Sequence, residues 1–283
     1  MMQLSNIQPS PYDARDHLAT IPTATILPKS IDLKPLVFEV ENQGQLNTCT
    51  ANAGCSALEL MYNKNKTPVD LSRLFLYYYS RKLGNIKGDS GSYPRDMCKA
   101  LKEFGTCPET NWPYASSSLD TEPTTEIKAL AEKFKIYSYE QIQGDKLTQI
   151  KNALNQDIPV LLTIQVHRGF GALTGNWKTH TWDWETSATN PLAGWHEVLI
   201  IGYDDDSQRL LVENSWGPAW ADGGFFGIPY AMISSQAFGE LWILNPNLSI
   251  PYVNPKPVPF YNTRIGGLVI LALLAIIATI LSK

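Results

Sequence analysis

The chain has 283 residues, 44% of them hydrophobic and 18% charged, with a formal net charge of −4. That content excludes a largely disordered chain, and the absence of a basic stripe excludes ordinary nucleic-acid binding. Four cysteines in this length exclude a disulfide scaffold.

In chain order, residues 1–25 form a polar N-terminal extension without the charged and then apolar run of a secretory signal. A long helix is predicted over Cys49 to Lys64, where small and apolar residues fall on most faces, the signature of a buried central helix. Ser72 is placed to cap a helix through Leu74, Phe75, Tyr78 and Tyr79. Ser92 is placed to cap another, with Pro94 in its first turn, Met97, Leu101 and Phe104 on one face and Gly105 ending it. A short helix is predicted over Leu147 to Leu154. Strands follow at Pro159 to Val166, Glu197 to Tyr203, Leu210 to Glu213, Phe225 to Ile228 and Glu240 to Leu244. Asp204 to Ser207 reads as a solvated hairpin turn rather than a calcium loop. Helices followed by strands argue for an α+β fold with two lobes and a cleft between them.

The two ends of the chain differ. Pro251, Pro255, Pro257 and Pro259 make residues 247–263 a stiff, extended spacer. From Ile265 to Leu281 all 17 residues are apolar, Gly, Ala or Thr. That is about the lower bound for a membrane-spanning helix. Residues 264–283 are therefore expected to be a transmembrane tail. It would anchor the domain by its C-terminus, with the domain on the cytosolic side.

Among groups able to do chemistry, no cysteine pair has metal or redox spacing, and no metal or other cofactor is expected. Cys55 and Cys98 lie in apolar helical patterns and read as small buried hydrophobes, and Cys107 reads as structural. Cys49 opens the long helix, where the macrodipole favours a thiolate. A thiolate nucleophile needs a base. His17 lies in the polar N-terminal segment, and His167 and His180 flank a Gly/Trp/Thr-rich loop. His196 opens a strand, with Glu197 on the opposite face, where an inward carboxylate needs a partner. Asn214 ends the next strand, within reach of the imidazole if the two strands pair. Residues 169–191, with Trp177, Trp182 and Trp184, read as a packing insert in preference to a loop closing the cleft.

These pieces resemble the papain-like cysteine peptidases. Asn42-Gln43-Gly44 followed by Cys49 is similar to the family's Gln-Gly segment. Gly194-x-His196 running into Val198 to Tyr203 is similar to its histidine strand. Asn214-Ser215-Trp216-Gly217 with Trp220 and Gly224 is similar to its asparagine segment. The resemblance covers about residues 26–246, with a helical lobe near 45–130 and a barrel-like antiparallel β lobe near 131–246. It implies Cys49 as nucleophile, His196 as proton shuttle, and Asn214 as the group that holds the ring. Trp216 would shield that bond, and Gln43 with the Cys49 N–H would form the oxyanion hole. The implied partner is a peptide or protein substrate. Papain has a disulfide cysteine, a glycine and a tryptophan at the places of Leu46, Asn47 and Thr50. The wording here is closer to a branch found in bacteria, archaea and large DNA viruses. A viral source would make a virion or host membrane the destination of the tail. Two other functions share these residues: an acyltransferase or transglutaminase-like enzyme on the same thiol, and an inactive membrane-tethered binding module.

Overall fold

The computed structural model describes residues 7–167 and 169–248. The Pro-rich spacer beyond residue 248 and the apolar tail lie outside them. Among the described residues no helix is long and apolar enough to cross a membrane.

Three helices form the first part. Helix α1 spans Cys49–Lys64 and is buried from Cys49 to Tyr62. Burial on every side follows from its mix of small, apolar and neutral polar residues. Helix α2 spans Arg73–Leu83, and the Ser72 hydroxyl caps it by accepting from Phe75 N at 3.2 Å. Helix α3 spans Pro94–Glu103 and differs from expectation at its start. Tyr93 is its N-cap and makes no side-chain cap. The Ser92 hydroxyl instead pairs with Thr50 Oγ1 of α1 at 2.6 Å. The buried Thr50 hydroxyl needs a partner, and Ser92 supplies it in place of a cap. Gly105 ends α3 at φ +73°, and a Cβ there would meet the Ala131 carbonyl at 2.1 Å. Helices α4 (Thr125–Ala131) and α5 (Lys146–Leu154) follow, capped by Thr124 and Asp145.

The strands are β1 (Ser30–Asp32), β2 (Ile136–Gln141), β3 (Val160–His167), β4 (Leu192–Asp204), β5 (Arg209–Glu213), β6 (Phe225–Pro229) and β7 (Phe238–Pro246). They form one antiparallel sheet in the order β2-β7-β3-β4-β5-β6, with β1 also paired to β4. The architecture is therefore α+β, and β1 joins the sheet from ahead of the helical stretch. Strand β4 starts five residues before the apolar run at Glu197, because Leu192 to His196 pair with β3. His196 thus lies inside a strand rather than at its first residue. The Asp204 to Ser207 turn is a hairpin, with Asp204 Oδ1 accepting from Ser207 N at 2.7 Å. Among the described residues no cluster of His, Cys, Asp or Glu could hold a metal.

The N-terminal segment wraps this core. Ile7 is buried and bridges to Trp195. The Arg95 guanidinium on α3 binds Asp16 through both carboxylate oxygens, and Leu18 bridges to Gln141.

Candidate active site

The site is built where α1, β4 and the segment after β5 meet. Cys49 is the first residue of α1, preceded by Thr48. Asn52 N donates to Thr48 O at 2.9 Å, which closes the first turn. The side-chain amide of Asn52 also donates to the Thr48 carbonyl and hydroxyl, each at 2.9 Å. Thr48 Oγ1 pairs with the Tyr114 hydroxyl at 2.6 Å, and Tyr114 reaches the Gln43 carbonyl at 2.9 Å. The loop before Cys49 is therefore clasped at both ends by one phenol.

Gln43 is held on every side. Its N–H donates to Ser215 O at 2.8 Å, and its Oε1 accepts from Ser215 Oγ at 2.7 Å. Its Nε2 donates to Leu46 O at 2.8 Å. Two of these bonds tie Gln43 to the residue after Asn214. Asn47, where papain has a glycine, is turned toward Asp89. Its amide donates to Asp89 O at 2.7 Å and its N–H to Asp89 Oδ1 at 2.9 Å.

His196 and Asn214 come together as the pairing of β4 with β5 requires. His196 Nε2 lies 2.7 Å from Asn214 Oδ1. The same oxygen accepts Ser215 N at 2.8 Å, so the amide oxygen faces the ring. An amide oxygen only accepts, so Nε2 carries the hydrogen and Nδ1 of the neutral ring is the basic nitrogen. Trp216 is buried and lies over the imidazole, with centroids 5.1 Å apart at 32°. Burial pushes the His196 pKa down to about 4, and the bond to Asn214 pulls it partly back.

Burial acts on three further thiols. Burial pushes Cys55 and Cys98 well above the usual thiol range and Cys107 up to about 12. All four cysteines are unbridged. Glu197 faces inward and finds its partner in Thr163, whose hydroxyl donates to Oε2 at 2.7 Å. His180 accepts from Gly227 N at 3.1 Å and His167 pairs with Thr186, which leaves both with structural roles. His17 contributes its carbonyl to Gln141 N at 2.8 Å.

The first part of the insert is packing, with Trp177 and Trp182 buried, while residues 183–191 are mostly exposed. Phe170 and Trp182 join Trp216, Trp220 and Phe226 in one aromatic cluster, and the Phe170 ring stands 6.4 Å from His196. Sequence reasoning missed Phe170 and gave no role to Tyr114 or Ser215, although both lie in segments that carry the resemblance.

The family model for the papain family cysteine proteases matches residues 27–236. An uncharacterized peptidase C1-like protein of Acanthamoeba polyphaga mimivirus is 29% identical over 275 residues, covering 87% of this chain and 88% of its own length. A cathepsin L-like proteinase of Fasciola hepatica is 25% identical over 221 residues, covering 76% of this chain and 62% of that proteinase. Among solved structures, xylellain, a cysteine protease from Xylella fastidiosa, superposes with a TM-score of 0.77 at 28% identity, covering 86% of this chain and 96% of xylellain. Strand order, buried central helix and family match agree, and the chain belongs to the papain family of cysteine proteases.

Proposed function

We propose that this chain is a cysteine peptidase that hydrolyses peptide bonds with Cys49 as nucleophile. The observation that carries the reading is the 2.7 Å bond from His196 Nε2 to Asn214 Oδ1 beneath Trp216, which turns the basic nitrogen away from Asn214. In the reaction the Cys49 thiol passes its proton to His196 Nδ1 as the sulfur attacks the substrate carbonyl carbon, and the C=O electron pair moves to oxygen. Gln43 Nε2 and the Cys49 N–H stabilise that oxyanion, and losing one such donor typically costs about 10²–10³ in rate. His196 gives its proton to the leaving amine as the C–N bond breaks, which leaves a thioester. His196 then takes a proton from water as the water oxygen attacks the thioester, and returns it to the Cys49 sulfur as the C–S bond breaks and the acid leaves. A buried imidazolium alone is unfavourable, so its charge depends on a neighbouring thiolate.

The test is labelling with an electrophilic thiol reagent alongside cleavage of a peptide library. Rapid modification of Cys49, lost in His196→Ala, is the expected result. Equal, slow modification in both proteins would overturn the reading and favour an inert binding module. Transfer to an added amine in preference to water would mark an acyltransferase.

The 17-residue apolar run supports a further proposal, that residues 264–283 tether the domain to a membrane. Deleting them is expected to move the protein from the membrane to the supernatant fraction. Full-length protein found in the supernatant would remove the tether.

A further inference from the structure

Behind Asn214, between α1, the middle of β4 and the end of β5, lies a cavity of about 10 Å³, room for the centre of one water molecule. Its lining includes Asn52 and Ser56 of α1, Glu197 of β4, Glu213 of β5, and Asn214. Four buried polar atoms of these residues find no partner within the protein: Asn52 Oδ1, Glu197 Oε1, Glu213 Oε2 and Asn214 Nδ2. Buried polar atoms are nearly always satisfied, so orphans on four residues lining one small cavity point to a shared partner. A water molecule has the size and the mixed donor and acceptor capacity for it.

We propose that Glu213 is a positioning residue for Asn214, acting through one water molecule held in this cavity. The Ser56 hydroxyl donates to Glu213 Oε1 at 3.0 Å, which leaves Oε2 for the cavity. Burial holds the Glu213 carboxyl in its protonated form up to about pH 8. As an acid, Oε2–H donates to the water, which also accepts from Asn214 Nδ2. The water in turn donates to Asn52 Oδ1, and Glu197, whose carboxyl burial also holds protonated, lines the same cavity. Glu41 and Glu197 are the other ionisable residues lining the cavity, and Arg73 pairs with Glu41 at 2.7 Å. The amide of Asn214 is then fixed from both ends, its oxygen by His196 and Ser215 and its nitrogen by the water. The chain of contacts runs from the middle of α1 to the imidazole without touching substrate.

The kinetic part of the test rests on the peptidase reading, and the structural part does not. In crystals of the full chain diffracting to high resolution, density for a water within hydrogen-bond reach of Asn214 Nδ2 and Glu213 Oε2 is expected; absence of that density would overturn the proposal. Glu213→Leu is expected to lower kcat about tenfold with KM unchanged, as misplacement of a catalytic group does. It should also shift the ¹⁵N-bound proton resonance of His196 Nε2. Glu213→Gln keeps one acceptor for Ser56 and one donor for the water, so it should restore kcat and the resonance to near wild type. Wild-type kcat and resonance in Glu213→Leu, or a Glu213→Gln protein as impaired as Glu213→Leu, would overturn the proposal. Should Glu213→Leu fail to fold, the water density and a Glu213→Gln kcat within about threefold of wild type decide it. Should the wild-type chain cleave nothing, the peptidase reading fails, and the density and the resonance still decide the role of Glu213.

Discussion

The two faces of α1 are both buried and are held in different ways. One face packs apolar surface. Gly54 lets α1 lie so close to its neighbours that a Cβ there would meet Met97 Sδ of α3 at 2.4 Å and Leu76 Cδ2 of α2 at 3.3 Å. The other face is a polar stripe at helical spacing: Asn52, Ser56, Glu59 and Asn63. Each has a particular partner. Asn52 holds Thr48, and Ser56 donates to Glu213. Glu59 accepts from Leu71 N at 2.7 Å, and Asn63 donates to Leu36 O at 3.0 Å. The apolar face supplies non-directional burial, which tolerates substitutions of matching volume. The polar face is directional, because each buried group costs free energy unless its partner sits at the right distance. A helix built this way is anchored by one side and aligned by the other, and Cys49 sits at its start.

Substitutions at the ends of this arrangement should separate alignment from packing. The largest expected effect is at the nucleophile. Cys49→Ala should reduce peptide cleavage by more than about 10⁴-fold, with an unchanged circular dichroism spectrum and melting temperature. Retained cleavage would remove the mechanism. Asn214→Ala should cost about 10²-fold in kcat with little change in KM, because the ring keeps its chemistry and loses its orientation. A pure KM effect would place Asn214 in substrate binding instead.

On the packing side, Gly54→Ala should destabilise by about 1–2 kcal/mol, since the overpacking cost exceeds the gain in helix propensity. Urea denaturation measures this, and a stabilised variant would mean that Met97 moves aside without cost. On the polar side, Ser56→Ala removes one hydrogen bond and leaves Glu213 Oε1 unpaired, a loss of about 1–2 kcal/mol.

The smallest effect is on the pH dependence of stability. Burial raises Glu213 to about 8, Glu41 to about 7 and Glu109 to about 6. An acid whose folded pKa is raised binds more protons folded than unfolded, so its contribution is full below its unfolded value and fades as pH rises through the folded one. Unfolding free energy should therefore fall between about pH 5 and 8, and Glu213→Gln should flatten the upper part of that slope. His196 acts in the opposite sense. Its pKa is lowered to about 4, so its contribution is full above its unfolded value and is lost as pH falls from about 6.5 toward 4. An optimum at mildly acid pH is the expected outcome, and a stability flat from pH 4 to 8 would contradict both assignments.

Much of this was legible along the chain. The burial of α1 follows from its composition, and the α2 cap follows from Ser72 standing before an apolar run. Local context also placed Cys49 at a helix start and Asn214 just past a strand end, within reach of His196. Other features had no local signal. Strand β2, Ile136–Gln141, buries only its first residue and shows little alternation. Strand β1 has three residues, too few for any period. Ser92 carries the signature of a cap, and only the approach of Thr50 on another helix diverts it.

By itself the sequence determined the α+β class and, among the described residues, four of the five α-helices and five of the seven strands, together with a Cys, His and Asn set of the types a thiol site uses. Those properties depend on periodicity and on side-chain type, which act within a few residues. Only the tertiary structure decided which buried polar groups are satisfied and by what. Gln43 meets Ser215 across 172 positions and Ser56 meets Glu213 across 157. No local pattern encodes such meetings, because hydrogen bonds act over about 3 Å and the chain must fold before these atoms are that close.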